Sequence, residues 1–306
     1  MTEAILQLDA ISDLEKVFPG HITRHPLVAV VDFSRMQDNC LPGTRIRAGF
    51  YSVMFKDHCP NSIRYGRTRL DFQQGSLICI APGQVIVMDE SQVTKERPEG
   101  WGLFFHPDLL RGTRLAEEVR AYTFFSYSAS EALHLSAREQ DVLKECLRPL
   151  VTELEDNIDA YTQRLIASMI DQLLNHCARC YDRQFISRKA HNEIRVEAFE
   201  IALKACFQEA TEGIQGIPSV RRLAEKLFLT PDYLSDLLKR ETGLTAQDHI
   251  HHYLIEEAKN KLLGSNATVG ELAYALGFEY PQYFSRLFKS KTGMTPSAYR
   301  HAFLNN

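Results

Sequence analysis

Nowhere in its 306 residues does this chain approach the ~20 consecutive apolar residues that a membrane-crossing helix requires. The opening stretch, MTEAILQLDAISDLEKVF, is broken by Glu3, Asp9, Asp13 and Glu15, which leaves no apolar region for a signal peptide. A cytoplasmic location with no membrane partner is therefore expected. Positive charge is not in surplus either. The formal net charge is −4, which argues against a polycation that sticks to any nucleic acid. Up to about residue 110 clustered histidines are missing: His21, His25, His58 and His106 are scattered, and QVIVMD, after Pro82-Gly83, contains none. Neither a metal site nor a cofactor is expected, because the grouped imidazole and carboxylate ligands of such a site are absent. The seven cysteines (Cys40, Cys59, Cys79, Cys146, Cys177, Cys180 and Cys206) are odd in number and irregularly spaced. Cys177 and Cys180 fall deep inside a predicted helix instead of at its N-terminus, where a thiol would be activated, and no second pair completes a zinc site. Buried thiols in a reducing compartment fit this pattern.

What is present divides into regions of different period. Up to about residue 110, short apolar runs (LVAVVDF, AGFYSVMFK and GSLICIAPGQVIVMD) alternate with turn signals at Pro42-Gly43, Pro60-Asn61, Tyr65-Gly66 and Pro98-Glu99-Gly100. Strands at this spacing predict a sandwich or small barrel. From Ser136, which forms a capping box with Glu139, the period becomes helical and takes in Val142, Leu143 and Leu147, with Pro149 expected to kink or interrupt the helix. A second helix over about 160–186 places Leu165, Ile166, Met169, Ile170, Leu173, Leu174, Cys177 and Tyr181 on one stripe. That stripe suits an intramolecular helix pair or a dimer interface. The polar run RCYDRQFISRKAH reads as a joint, and a further helix, EIRVEAFEIALKACFQEA, ends at Gly213 before the boundary Gly216-Ile217-Pro218. The fold class is α+β with several domains, over 1–135, 136–190 and 191–306.

Beyond Pro218 the chain repeats itself. Leu223, Ala224, Leu227 and Leu229 recur as Leu272, Ala273, Leu276 and Phe278, and one inserted residue later Tyr233, Leu234, Ser235, Leu238, Lys239, Gly243 and Thr245 recur as Tyr283, Phe284, Ser285, Phe288, Lys289, Gly293 and Thr295. Each copy reads as a short helix, a tight turn (with Gly277 in the second) and a second helix opened by Pro231 or Pro281 and closed by Gly243 or Gly293. Thr230 is a suitable N-cap and Asp232 complements the helix dipole. Two helix-turn-helix units, about 219–243 and 268–293, are thus predicted. The helix between them, 246–263 and closed by Gly264, is about 27 Å long at 1.5 Å per residue. That approaches the ~34 Å of one turn of B-DNA, so one chain could present two reading helices to successive major-groove segments.

The segments LAYALGFEYPQYFSRLFKSKTGMTPSAYR and LAEKLFLTPDYLSDLLKRETG resemble the DNA-binding domain of the AraC/XylS family of bacterial transcription regulators. The resemblance covers the C-terminal hundred residues. It implies that Gln282, Tyr283 and Arg286 match base-reading positions, with Arg286 suited to guanine and Gln282 to adenine. Lys289 suits a phosphate. A solvated helix-face charge is the plainer reading of Arg286. The corresponding first-unit positions, Asp232, Ser235 and Asp236, depart from the family pattern, so that helix is expected to matter less, with Lys239 and Arg240 contacting the backbone. Arg221, Arg222, Lys259 and Lys261 are weaker phosphate candidates. Residues 214–306 hold 11 Lys+Arg against 9 Asp+Glu, so specific affinity is expected to need a homodimer and to show moderate salt sensitivity.

The resemblance also implies a cupin-like N-terminal domain that holds a small effector or dimerises, and RNA polymerase as a partner alongside double-stranded DNA. Tyr51, Phe55, Trp101 and Phe105 are effector-pocket candidates, with core packing the plainer reading. Arg45 and Arg47 could meet an acidic effector, although exposed alternation on a strand accounts for them equally. The expected function is a sequence-specific transcription regulator and not an enzyme. The alternatives are a cupin-like enzyme with a DNA-targeting tail and an architectural DNA binder.

Overall fold

The computed structural model describes residues 5–35, 44–58, 63–65, 68–69, 75–88, 99–127, 131–187, 189–211, 216–265 and 267–304. The turn signals at Pro42-Gly43 and Pro60-Asn61, together with Gly66, Pro98, Gly213, Cys40, Cys59 and the His58 side chain, lie outside the described residues. The chain forms two compact units, Met1–Ser187 and Arg188–Asn306.

Among the described residues the first unit carries ten strands: β1 Ile5–Leu8, β2 Val28–Asp32, β3 Arg45–Ala48, β4 Tyr51–His58, β5 Ile63–Tyr65, β6 Thr68–Arg69, β7 Ser76–Ile80, β8 Val85–Met88, β9 Glu99–Phe105 and β10 Leu133–His134. They form two five-stranded sheets, ordered β1-β3-β8-β5-β6 and β10-β7-β4-β9-β2. Ala29, Val31, Met54, Ile78, Ile80 and Phe104 from the second sheet join Leu8 and Ile46 from the first in one apolar cluster. The alternate residues of the second sheet, Val53, Phe55, Leu77, Cys79, Leu103 and Phe105, are buried as well. Burial on both faces explains why SLICI and LFF read as unbroken apolar runs. On β3, Ile46 is buried while Arg45 is half-buried and Arg47 exposed, which is the bland alternation.

Two short helices, α1 Pro107–Leu110 and α2 Leu115–Glu118, lead to the helix pair α3 Ala137–Glu155 and α4 Thr162–Ser187. The Ser136–Glu139 capping box is present, and α3 runs uninterrupted through Pro149. Proline removes one backbone donor there, but Leu143, Leu147 and Leu150 are buried on either side of it, and the helix is not interrupted. On α4, Ile166, Ile170, Leu173, Leu174, Cys177, Cys180 and Tyr181 are all buried within this unit. Most of the apolar stripe is therefore used intramolecularly, against α3 and the small elements beside it, while Leu165 is exposed and Met169 half-buried. Tyr181 stacks on Phe124 with ring centroids 5.1 Å apart. The Gln184 side chain accepts from the His134 backbone N–H (2.8 Å) and donates to the Ala132 carbonyl (3.2 Å). The polar run expected to be a joint holds the last turns of this helix, which ends at Ser187, and the division between the two units falls within it. Burial pushes the Cys177 thiol well above its ordinary value and the Cys180 thiol up to about 12, so both are protonated packing groups.

The second unit is helical: α5 Lys189–Thr211, α6 Val220–Lys226, α7 Pro231–Thr242, α8 Ala246–Gly264, α9 Val269–Ala275, α10 Pro281–Thr292 and α11 Pro296–Leu304. The repeat read in the sequence is visible bond by bond. Ser219 and Thr268 cap α6 and α9, accepting from the N–H groups of Arg222 and Glu271. Gly243 and Gly293 close α7 and α10 at φ of 79° and 78°. Thr242 and Thr292 donate their hydroxyls to the carbonyls of Leu238 and Phe288. The turns match too: the N–H groups of Leu229 and Phe278 reach the carbonyls of Ala224 and Ala273.

At the left-handed position of this turn the copies differ. The second holds Gly277 at φ 87°, and a Cβ built there would meet the Ile217 nitrogen at 3.1 Å. The first holds Phe228 at φ 57° with its ring 85% exposed. A bulky L-residue is strained in that region, and this ring gains little burial in exchange. Phe228→Gly is therefore expected to stabilise the second unit by roughly 1 kcal/mol, the relieved strain exceeding the extra freedom of unfolded glycine. Gly277→Ala is expected to destabilise it. Urea unfolding of the two variants checks both signs.

Candidate nucleic-acid interface

The spacing of apolar residues decides which face each second helix turns outward. On α10, Phe284 and Phe288 are fully buried, and Phe288 packs edge-on to Tyr299 of α11 with centroids 5.4 Å apart. Those two residues fix the rotation of the helix. Gln282, Tyr283, Arg286 and Lys289 are consequently exposed. The Arg286 guanidinium lies 5.9 Å from the centre of the Tyr283 ring, close enough for a cation–π contact that orients its fork. Tyr283 in turn meets Tyr280 edge-on at 5.8 Å. These residues form one continuous polar and aromatic surface on the helix named in the sequence.

On α7, Leu234, Leu237 and Leu238 are buried and fix the same rotation. Asp232, Lys239 and Arg240 are exposed, whereas Ser235 and Asp236 are half-buried. Thr230 caps the helix, accepting from the Tyr233 N–H at 3.3 Å. The two helices are not equivalent in their surroundings. Tyr233, the repeat partner of Tyr283, is 1% exposed against 55%. Its hydroxyl bonds Arg195 Nη1 of α5 at 3.1 Å, and the Arg195 guanidinium lies 5.4 Å from its ring centre. α5 packs on α6 and α7, with Phe199, Leu203, Cys206 and Phe207 as its buried stripe.

The connecting helix α8 packs against α6, α7, α9 and α11 and so supports both units. Its buried row, Ala246, Ile250, Leu254, Ile255, Ala258 and Leu262, runs its full length. Lys291 of α10 reaches Asp248 of α8 at 3.3 Å, and Arg300 of α11 donates to the Leu262 carbonyl at 2.9 Å. Of the weaker phosphate candidates, Arg222 is 19% exposed and pairs with Glu209, which Lys226 also contacts at 2.9 Å. These charges join α5 to α6. Arg221 pairs with Glu225 at 3.1 Å and Lys259 with Glu256 at 2.8 Å.

In the first unit the four aromatic candidates fall into two pairs. Phe55 and Trp101 stack with centroids 5.9 Å apart. Tyr51 stacks on Phe105 at 5.0 Å and meets Phe125 edge-on at 4.9 Å. Phe55, Trp101 and Phe105 are buried and Tyr51 is half-buried. Two of the scattered histidines have local partners: His106 Nδ1 caps α1 by accepting from the Asp108 N–H, and His25 Nδ1 accepts from the Leu27 N–H, each at 3.2 Å. The residue that sequence reasoning missed is Arg195. Its place inside a mixed helix, EIRVEAFE, gave no sign that it would cover one tyrosine of a repeated pair.

Comparison with known proteins places residues 223–302 in a family described as a helix-turn-helix domain. YijO of Escherichia coli (strain K12), described as an uncharacterized HTH-type transcriptional regulator, is 30% identical over 142 residues, 46% of this chain and 46% of its own. YobQ of Bacillus subtilis (strain 168), described in the same words, is 35% identical over 88 residues, 29% of this chain and 36% of its own. The chain thus spans less than half the length of either relative. Among solved structures, the C-terminal domain of AraT, a response regulator from Geobacillus stearothermophilus, is 27% identical, covering 34% of this chain and 84% of that one with a TM-score of 0.31.

Proposed function

We propose that the protein is a sequence-specific DNA-binding transcription regulator of the AraC type, a reading supported by the helix-turn-helix family match over residues 223–302 and by the HTH-type relatives. The observation that carries the reading is the pair of repeat-related helices, α7 and α10. Each is rotated by a buried apolar row so that its polar positions face outward; α7 packs directly on α8, and α10 packs on α9 and α11, which in turn pack on α8. Gln282 and Arg286 read base edges in the major groove through paired hydrogen bonds, and Tyr283 steers the Arg286 fork. Lys289, Lys239 and Arg240 hold phosphates and set the register. Asp232 and Asp236 make α7 the weaker contributor, because carboxylates are repelled by a phosphate lattice.

The first unit acts as the regulatory part, a cupin-like domain that responds to a small molecule or to self-association. What supports this is the two-sheet architecture with its own apolar cluster. Activation through RNA polymerase completes the proposal. No helix of the described residues is long and apolar enough to cross a membrane.

The test is selection of a binding site from random DNA with the full chain, followed by titration of that site and of scrambled duplex over a range of salt. A regulator prefers its own site at every salt concentration. Equal binding to both duplexes overturns the proposal. Lys289→Ala is expected to weaken both duplexes alike and to lower the magnitude of the log–log salt slope by about 1.

A further inference from the structure

Helix α5 carries apolar residues on two opposite faces. Phe199, Leu203, Cys206 and Phe207 are buried within the second unit. Ile194, Ala198, Ile201 and Ala205 recur at intervals of four, three and four, the spacing of a coiled-coil seam. At about 100° per residue they fall within about 60° of one another, on the side away from the buried row. Ile194 is 65% and Ile201 64% exposed, and the two alanines are half-buried. A surface helix keeps one apolar stripe and a polar opposite face, so this second stripe needs a second cover.

The make-up of the stripe indicates what that cover is. One flank carries Glu197 and Lys204, both exposed and neither with an ion partner among the described residues. An acid and a base seven residues apart on one flank are complementary to the same pair running the other way. When a second copy of α5 is laid antiparallel about a two-fold axis between Ala198 and Ile201, Ile194 meets the partner's Ala205. Ile201 likewise meets the partner's Ala198. Each large side chain then faces a small one, which lets the helix axes approach closely. Glu197 and the partner's Lys204 fall on the same flank, offset by about 3 Å along the axis. Every contact occurs twice by symmetry, as an interface between identical surfaces requires.

From this self-complementarity we infer that the outer face of α5 is a docking surface for a second copy of the chain, paired antiparallel through α5. The pairing itself does not depend on DNA recognition; its use in holding two copies on a paired DNA site rests on the proposed function above. Four side chains over about 17 Å of helix cannot bury the ~1,600 Å² of a standard interface. The free chain therefore associates weakly, with a dissociation constant of about 10–100 µM.

Zero-length carbodiimide cross-linking tests the register, since it joins a carboxylate to an amine only where the two are in contact. The full chain is mixed one to one from nitrogen-15-labelled and unlabelled protein at about 100 µM, within the expected range of association. It is expected to yield a Glu197–Lys204 peptide pair with one labelled and one unlabelled half. That isotope pattern arises only between copies and is indifferent to any other self-association surface. Ile201→Asp, at an exposed position, is expected to leave the urea midpoint in place and to remove the mixed link. Glu197→Lys and Lys204→Glu each set like charges together at two places, and each is expected to weaken association in sedimentation velocity about tenfold. Mixing the two variant chains is expected to restore it, because each supplies the charge that the other lacks. Absence of the mixed link, a link that survives Ile201→Asp, or a variant mixture that associates no better than either chain alone overturns the inference. So does a monomeric chain that Ile201→Asp destabilises, since the stripe is then covered from within one copy. Titrating the selected DNA in parallel separates the two ideas. A chain that forms the link but shows no DNA preference keeps the α5 pair and loses the regulator. One that prefers its site without forming the link does the reverse.

Discussion

Arg286→Ala is expected to lower the preference of the full chain for its selected site over scrambled duplex by ~1–3 kcal/mol, the cost of losing one bidentate base contact. The loss should be concentrated at one base pair, so that variants of the site at that position become equivalent. Stability should change little, because Arg286 is exposed and its neighbour in the fold is the Tyr283 ring. The decisive comparison is with Arg286→Lys. A lysine keeps the charge and much of the phosphate attraction but cannot present the fork. If Arg286 only decorates a solvated face, Lys and Ala variants will both keep the wild-type ratio. If it serves phosphates alone, Lys will restore binding to specific and scrambled DNA equally. A base-reading role predicts that Lys restores affinity without restoring the ratio. The repeat supplies an internal control: Asp236 stands where Arg286 does, and Asp236→Ala is expected to leave the ratio intact.

The legibility of this chain follows from how local its signals are. Both helix-turn-helix units could be read to within a residue or two, because caps, first-turn prolines and closing glycines are short-range features. Thr230, Pro231 and Gly243 act within a single helix whatever surrounds it. Burial on the outward flank is different, since it depends on which distant segment arrives there. Nothing in YLSD against YFSR tells that Tyr233 is covered by Arg195, 38 residues earlier in the chain, while Tyr283 stays open. Burial along the end of α4 is long-range in the same way. RCYDRQF is polar on average, yet Cys180, Tyr181, Gln184 and Phe185 share one helical face, and that face is buried. Pro149 does not interrupt α3, since packing on both sides outweighs that local signal. In the first unit the aromatic residues were visible, but their division into a Tyr51–Phe105 pair and a Phe55–Trp101 pair is set by strand register. Register is a long-range property that composition does not carry.

The asymmetry between the two tyrosines yields the largest expected effect on stability. Tyr233→Ala removes a ring that is 1% exposed, together with its hydroxyl bond and its stacking under Arg195. Large aromatic-to-alanine changes in cores cost ~3–5 kcal/mol, and this site has little freedom to collapse because Leu234, Leu237 and Leu238 beside it are fully buried. Tyr283→Ala, at the repeat-equivalent position, removes a ring that is 55% exposed and should change stability by no more than about 0.5 kcal/mol. Its cost should fall on DNA binding instead, through the lost support for Arg286. Hydrogen exchange across the second unit, with urea unfolding of the full chain, tells the two apart. Tyr233→Ala should raise exchange throughout α5, α6 and α7, whereas Tyr283→Ala should leave protection of α10 as it was. Phe substitution divides the Tyr233 effect further. Tyr233→Phe keeps the packing and the cation–π contact but leaves the Arg195 donor without that acceptor, so it should cost about 1–3 kcal/mol. A Tyr233→Ala chain as stable as Tyr283→Ala would mean that α5 does not cover the first unit in solution, and the distinct roles assigned to α7 and α10 would then lose their structural cause.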